Sequence, residues 1–538
     1  MNSKPQGVSS QKFICLLSLY FTFVLNINFW HFILTKLEIS NFSTFFFALS
    51  LPIFMFVPLF LFFSLLVWPK IGKPIVAVLL ILSAAADYAT CNLGIVIDSD
   101  MVRNFAETNL REGLDFVTLR AVMYVIFVGV IPAVIVLRTK INFAPAWSEI
   151  KRRLLNNLIL LLVFVISTGS CYKEYVSFGR NNPQLRRCVN TFNYIYAVGR
   201  YHQKQRLRNR TFTILDATPQ KELSKSGKPR ILVLIVGETA RAQNFSLYGY
   251  ERETNPLLAK QDIIAFQDVT SCGTATAISL PCMFAATPQS GFDVTDAKFT
   301  QNLMDIAQLA GYDIWWKDND DGCKEVCKRV PTVDAKSGNK APFCFGDYCH
   351  DDILLDGLDE RLRQVKADSV IVLHAMGSHG PTYFKRYPDK FKRFTPACDT
   401  ADLQDCSREQ IINTYDNTIL YTDYVISTAI DILRKHKNLE SSLLYISDHG
   451  ESLGENNIYL HGLPYKIAPD EQKKVPMIMW LSDSWQKANR LDKACLQKQS
   501  QTESYSHDNL YSSVLHLLGI KSSTYNQQFD LFTPCIKK

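Results

Sequence analysis

Thr276 lies in the run Cys272-Gly-Thr-Ala-Thr-Ala-Ile-Ser-Leu-Pro, which Cys282 closes. The two cysteines read as a small disulfide ring around the threonine. Upstream, the apolar run ILVLIVG ends at Glu238; far downstream, LLYIS leads into Asp448, His449, Gly450 and Glu451. His374 and His379 sit in LHAMGSHGP, and His461 sits in LHGLP. Acidic and imidazole groups at the C-terminal ends of apolar runs are how a parallel sheet builds a metal site: the strands stop and their tips converge. A threonine beside a metal can give up its proton and attack phosphorus. A lone histidine at a strand end is more often a satisfied structural group than a ligand. The adjacent Asp448-His449 pair says more, because neighbouring oxygen and nitrogen ligands suit a borderline metal such as zinc.

The elements that must hold these residues follow from the pattern after residue 230. Apolar runs of strand length, 231–237, 264–270, 312–316, 369–375, 443–447 and 475–481, alternate with longer mixed segments. Helices are expected at 301–310, 352–366 and 407–436. Alternation of this kind predicts an α/β domain with a mostly parallel sheet.

Ahead of that domain the composition changes. Hydrophobic residues make up 47% of the 538, with 34 phenylalanines, and the excess sits in the first third. Five apolar stretches, 13–35, 45–67, 74–93, 117–137 and 154–170, are long enough to cross a bilayer at about 20 residues each. The first is too long for a removable signal peptide and lacks its small-residue cleavage site, so it reads as a retained helix. Basic residues crowd WPKIGK (68–73) and RTKINFAPAWSEIKRR (138–153), the second and fourth loops. That places the N-terminus in the cytoplasm and everything after the fifth helix outside. The net charge of +7 goes largely into such loops and the stretch 200–230. No compact basic domain with interleaved aromatics accompanies it, so nucleic acid is not an expected partner. Residues 172–229 mix aromatics with basic residues and read as an amphipathic interfacial linker, with a plain surface linker as the alternative. The expected division is a five-helix transmembrane domain over 1–171, the linker over 172–229 and a catalytic α/β domain over 230–538.

Ten of the 14 cysteines lie from Cys272 onward, at 272/282, 323/327, 344/349, 398/406 and 495/535. An even count in close pairs reads as disulfides in an oxidising compartment, in agreement with the loop charges. The pairing among Cys323, Cys327, Cys344 and Cys349 stays open, and a four-thiolate zinc site there is the rival reading.

GETARAQNFSLYGYERETNP (237–256), SCGTATAISLPCMF (271–284), HAMGSHGPTYFKRYP (374–388), YDNTILYTDY (415–424) and SDHGESLGE (447–455) resemble the motifs of the lipid A phosphoethanolamine transferases. That family includes the chromosomal and mobile colistin-resistance enzymes. The resemblance runs along the whole chain, five helices included, and implies a catalytic domain of the alkaline-phosphatase and sulfatase superfamily. It implies Thr276 as nucleophile on a zinc ion held with Glu238, Asp448 and His449. His379 and His461 would line the pocket, holding a second zinc or handling protons. Lys324 would lie near the donor phosphate. Asn104, Thr108 and Glu112 would contact the ethanolamine headgroup; a solvated loop carboxylate is the plain alternative for Glu112. Asp320 and Asp321 depart from relatives that carry Asn and Ser there, a difference in the expected donor pocket.

The implied reaction moves phosphoethanolamine from phosphatidylethanolamine, through a phosphoethanolamine-threonine intermediate, to lipid A of lipopolysaccharide. The setting is a Gram-negative inner membrane, with a periplasmic catalytic domain, a monomeric chain and polymyxin resistance as the outcome. A core sugar or a protein acceptor would use the same residues. So would a phosphodiesterase-type hydrolase, whereas the C/S-x-P-x-R signature of sulfatases does not surround Thr276. A glycerol-phosphate polymerase and a non-catalytic membrane sensor are further alternatives; the sensor would be expected to have lost ligand positions, and none is lost here.

Overall fold

A computed structural model describes residues 7–39, 41–93, 101–102, 118–183, 185, 189–208, 210–337, 342–346 and 348–537. Asn104, Thr108 and Glu112 lie outside them. The chain forms two compact units, Met1–Arg210 and Thr211–Lys538.

The first unit is helical. The segment expected as one helix over 13–35 is two, α1 (Ser10–Phe23) and α2 (Ile27–Lys36), bent by 52°. Asn26 is the cause. It is wholly buried, and a buried amide in apolar surroundings must find partners. Its Nδ2 donates to the Phe21 carbonyl at 2.7 Å, and its Oδ1 accepts from the Asn190 backbone N–H at 2.7 Å. The break frees the Leu25 carbonyl, which accepts from Asn190 Nδ2 at 3.1 Å. Among the described residues, four further helices are long and apolar enough to cross a membrane, and the bent pair makes five if it counts as one span. They are α3 (Phe42–Leu66), α4 (Gly72–Leu93), α5 (Leu119–Arg138) and α6 (Ala146–Ser170).

Helix α6 starts eight residues before its apolar run. Its charged first turns stay helical because Arg153 Nε reaches Glu149 Oε1 at 2.8 Å, one turn away. Ser10 Oγ also donates to Glu149, at 2.6 Å, and Arg153 donates to the Ser64 and Val67 carbonyls and lies over the Trp68 ring. After α6 come α7 (Tyr172–Asn181) and α8 (Asn190–Arg208). Tyr175 of α7 packs against Phe47 and Phe54 of α3, with ring centroids 4.9 Å apart in each case.

The second unit is built on a seven-stranded sheet of β1 (Arg230–Gly237), β2 (Ile264–Phe266), β3 (Asp313–Asp318), β4 (Thr332–Asp334), β5 (Ser369–His374), β6 (Glu440–Ser447) and β7 (Met477–Leu481). The order is β2-β7-β6-β1-β5-β3-β4. The five strands from β6 to β4 are parallel, and β7 and β2 complete one edge antiparallel. Every residue of β1, β5 and β6 is buried, as the central strands of a sheet covered on both faces must be.

Differences from the sequence pattern are local. The run 264–270 divides at Gln267, whose N–H goes to the Ser500 carbonyl; Asp268–Thr270 then pairs with Ser504–Ser506 in a separate two-stranded sheet. Strand β4 is exposed throughout and has no apolar alternation to announce it. The helix expected at 352–366 is a 3-10 turn (Asp351–Leu355) and then a short helix, Leu358–Gln364, interrupted at Gly357 with φ +75°. A long helix, α9 (Arg408–Lys435), begins at a reciprocal cap between Ser407 and Gln410 and lies where expected.

The ten cysteines from Cys272 onward pair in the order in which they occur: 272–282, 323–327, 344–349, 398–406 and 495–535. The alternative of a thiolate zinc site at 323, 327, 344 and 349 is thereby overturned, since all four sulfurs are held in disulfides.

Candidate active site

The register of β1 against β6 sets Gly237 opposite Ser447. The next residues on the two strands, Glu238 and Asp448, therefore emerge side by side at the C-terminal edge of the sheet. The Asp448 N–H donates to the Gly237 carbonyl at 2.9 Å. His449 follows, and its Nε2 lies 3.3 Å from Glu238 Oε1 and 3.5 Å from Asp448 Oδ2. All three side chains are fully buried. His449 Nδ1 faces the Gly450 carbonyl at 2.9 Å. That bond puts the proton on Nδ1 and turns Nε2 towards the carboxylates.

Thr276 is the first residue of a short helix, Thr276–Met283, which carries Pro281 within it and is not among the expected elements. Its Oγ1 lies 3.1 and 3.0 Å from the two Glu238 oxygens and 3.3 Å from His449 Nε2. Two ties seat this helix. Cys272–Cys282 joins its interior to the preceding loop, and Ser279 Oγ donates to the Asp448 carbonyl.

His379 and His461 stand beside this group. The His461 ring centroid is 4.3 Å from that of His449 and 5.6 Å from that of His379. His461 Nδ1 meets Glu451 Oε2 at 2.7 Å, and the Tyr383 hydroxyl donates to the other Glu451 oxygen. The loop bearing His379 is held from beneath by Asp351, which accepts the Met376 and Gly377 N–H groups at 2.8 Å each. Gly377 has φ +53°, and a Cβ there would lie 2.4 Å from the Glu238 carbonyl oxygen. Only glycine lets that loop rest on Glu238. Thr239, next to Glu238, is held at φ +58°, where the Tyr415 hydroxyl donates to its carbonyl at 2.8 Å and accepts from Arg241 N–H at 2.9 Å. Strained backbone of this kind persists where surrounding contacts over-determine it.

The electrostatics are those of a site short of positive charge. Burial and the neighbouring Glu238 charge push Asp448 well above the usual carboxylate range. Burial acts to raise Glu238 too, but the His449 imidazolium outweighs it and holds that carboxyl well below. Burial opposes the charge on His449, yet Asp448 and Glu238 bring it up to about 10. His379 is brought down to about 4, chiefly by burial. Asp448 Oδ2 is buried without any hydrogen-bond partner. Ligand atoms of Glu238, Asp448 and His449 all lie within 4.8 Å of one another. Two carboxylates, an imidazole nitrogen and an orphaned oxygen form a donor set that fits a divalent cation such as zinc.

The charge of Lys324 acts on Asp320, beside Glu238. The lysine sits on the loop after β3 at φ +48°, and its Nζ donates to the Asp321 carbonyl at 2.8 Å. Glu451, Asp351, Tyr383 and Tyr415 were not singled out as site residues in the sequence. Glu451, Tyr383 and Tyr415 lie within the quoted runs 447–455, 374–388 and 415–424, whereas Asp351 lies outside all five and reaches the site through long-range packing.

A sulfatase family model matches residues 230–520, and a model described as phosphoethanolamine transferase EptA/EptB matches residues 55–206. The chain is 41% identical to phosphoethanolamine transferase EptA of Escherichia coli strain K12 over 99% of its own length and 98% of that protein. It is 39% identical to phosphatidylethanolamine transferase Mcr-1 of Escherichia coli over 81% of its length and 83% of that protein. Among solved structures, the integral membrane lipooligosaccharide phosphoethanolamine transferase A of Neisseria meningitidis superposes with a TM-score of 0.66 at 36% identity, covering 99% of this chain and all of the other. With both units matched and the similarity running end to end, the chain belongs to the phosphoethanolamine transferases, membrane-anchored enzymes with a sulfatase-like catalytic domain.

Proposed function

We propose that this transferase moves phosphoethanolamine from phosphatidylethanolamine to lipid A through an ester on Thr276. The observation that carries the reading is the position of Thr276 Oγ1, 3.0 and 3.1 Å from the Glu238 oxygens and 3.3 Å from His449 Nε2. Glu238, Asp448, His449 and Thr276 Oγ1 would hold one zinc ion. When bound, zinc lowers the pKa of the hydroxyl it touches and offsets charge on the phosphoryl oxygens.

In the first half-reaction the bond from Thr276 Oγ1 to phosphorus forms as the bond to the diacylglycerol oxygen breaks. The threonine proton leaves through a histidine, and the departing diacylglycerol oxygen takes up a proton. In the second, the bond from an acceptor phosphate oxygen to the same phosphorus forms as the Thr276 Oγ1–phosphorus bond breaks, and Thr276 regains its proton. His379 and His461 are the groups placed to relay these protons, and the bond from His461 Nδ1 to Glu451 sets which ring nitrogen is available. The ring closed by Cys272 and Cys282 limits where Thr276 can lie. Orientation of that kind is worth up to about 7–11 kcal/mol at the limit in a transfer reaction. Asn104, Thr108, Glu112 and Lys324 remain the candidates for donor recognition, on the strength of the sequence resemblance. Five disulfides favour a periplasmic catalytic unit, and the loop charges favour an inner-membrane chain with its N-terminus in the cytoplasm.

The test is mass spectrometry of lipid A from Gram-negative cells expressing the chain or Thr276→Ala. An added phosphoethanolamine mass with the parent alone is expected. The same mass with the variant would overturn the role of Thr276; no added mass with either would overturn lipid A as acceptor and direct the search to core sugar or protein.

A further inference from the structure

The strand that presents Glu238 has two neighbours, and both carry ligand-type side chains at their tips. On one side, β6 leads into Asp448 and His449. On the other, His374 ends β5, opposite Val236 of β1 and opposite Asp318 of β3. Two residues beyond β3 comes Asp320. His374 is wholly buried, and Asp318 and Asp320 are 5% and 6% exposed.

His374 Nδ1 meets Asp318 Oδ2 at 3.0 Å, and that same oxygen accepts from the Trp316 indole at 3.1 Å. The carboxylate can only accept, so Nδ1 carries a proton and the ring is clamped. Its other nitrogen, Nε2, has no hydrogen-bond partner. It faces Asp320 Oδ2 at 3.8 Å, beyond hydrogen-bond range. A buried imidazole nitrogen with nothing to bind is costly and uncommon. A carboxylate clamping one nitrogen while the other faces two acidic groups is the arrangement by which proteins orient a histidine on a metal. The spacing agrees. With bonds of roughly 2.0–2.2 Å to nitrogen and oxygen, two ligands of one tetrahedral ion stand about 3.4 Å apart.

We propose that Glu238, Asp320 and His374 form a second divalent-cation site, distinct from Glu238–Asp448–His449 and sharing Glu238 with it. Ligand atoms of the three residues lie within 4.8 Å of one another. One nitrogen and two carboxylates select a first-row ion, zinc ahead of manganese where both are present, and do not supply the six to eight oxygens that calcium takes. Glu238 would then bridge two ions, as in sites where paired metals clamp a phosphoryl group between them. This position differs from the His379–His461 side, where the sequence resemblance allows a second zinc.

The test uses the full-length chain in detergent, stripped with a chelator and titrated with zinc chloride alone. Bound metal per chain is read by calorimetry and elemental analysis. Asp320→Asn keeps the side-chain shape and is expected to bind one equivalent fewer than the parent. Asp448→Asn is expected to lose a different equivalent, and the double variant both. Equal melting temperatures of the stripped parent and Asp320→Asn would show that the fold is intact. The Asp320-dependent loss should persist when His379 and His461 are both alanine. Parental stoichiometry in Asp320→Asn overturns the site, as does disappearance of its effect in the His379→Ala/His461→Ala background. Loss in Asp320→Asn with none in Asp448→Asn would leave this site standing and overturn the zinc assignment made for Thr276.

Discussion

Strands β1 and β6 run side by side, and their two ends treat buried charge in opposite ways. At the N-terminal end, Arg230 Nε meets Glu440 Oε1 at 3.0 Å, both side chains being almost wholly buried. Ser224 and Ser226 donate to the other Glu440 oxygen, and Arg230 Nη1 donates to the Glu222 and Leu518 carbonyls. That end is electrically closed. At the C-terminal end, Glu238 and Asp448 are two buried carboxyls that share a single imidazole, with one buried oxygen left over. A closed charge pair holds a fold together; an open one waits for something the chain does not supply.

The difference breaks cleanly under mutation. The largest effect is expected from Asp448→Asn, which should lower transfer at least about a hundredfold, the scale on which a single charged or polar group acts in a preorganised site. In chelator-stripped protein the same change should leave the melting temperature unchanged or raised, because it removes a carboxyl whose burial beside Glu238 costs stability at neutral pH. A melting temperature that falls would mean that this end is structural after all. Glu440→Ala should do the reverse. It strands Arg230 in the core at a cost of about 3–5 kcal/mol, read by denaturant unfolding, while activity per folded molecule is kept.

Asp423 sharpens the contrast as an intermediate case. It is buried, accepts the Leu257 and Leu258 N–H groups at 2.9 Å, and forms no ion pair among the described residues. Burial brings it up to about 7. The folded state therefore holds this proton more tightly than the unfolded chain, whose value is near 3.8. Stability from this group is complete below about pH 4 and is lost as pH rises through about 7. Asp423→Asn should flatten the melting temperature between pH 4 and 8 by removing that slope. An unchanged slope would assign it to other groups.

The open end was readable in the sequence because its residues sit where apolar runs stop. Glu238 after ILVLIVG and Asp448-His449 after LLYIS mark strand tips by composition alone. The closed end was not readable: Arg230 and Glu440 are ordinary charged residues until the register of β1 and β6 sets them opposite each other. Asn26 is likewise one polar residue in an apolar run, and its break becomes visible only with Asn190, 164 positions away. Hydropathy stopped at Leu154, but a buried Glu149–Arg153 pair lets α6 begin at Ala146. The loop after β3 was seen as a departure, Asp320 and Asp321, without its neighbour: His374 joins Asp320 through sheet order, which composition does not encode.

The disulfide pattern has a consequence for biogenesis. Each of the ten bridged cysteines bonds its nearest described neighbour along the chain, at separations of 10, 4, 5, 8 and 40 residues. A polypeptide delivered amino-terminus first meets its oxidant in that same sequence, so simple vectorial oxidation produces the native set with nothing to undo. Maturation should then depend on a dithiol oxidase and be indifferent to a disulfide isomerase. Yields of folded protein in strains lacking one or the other would show it, and a collapse in the isomerase-deficient strain would mean that mispaired species form on the way.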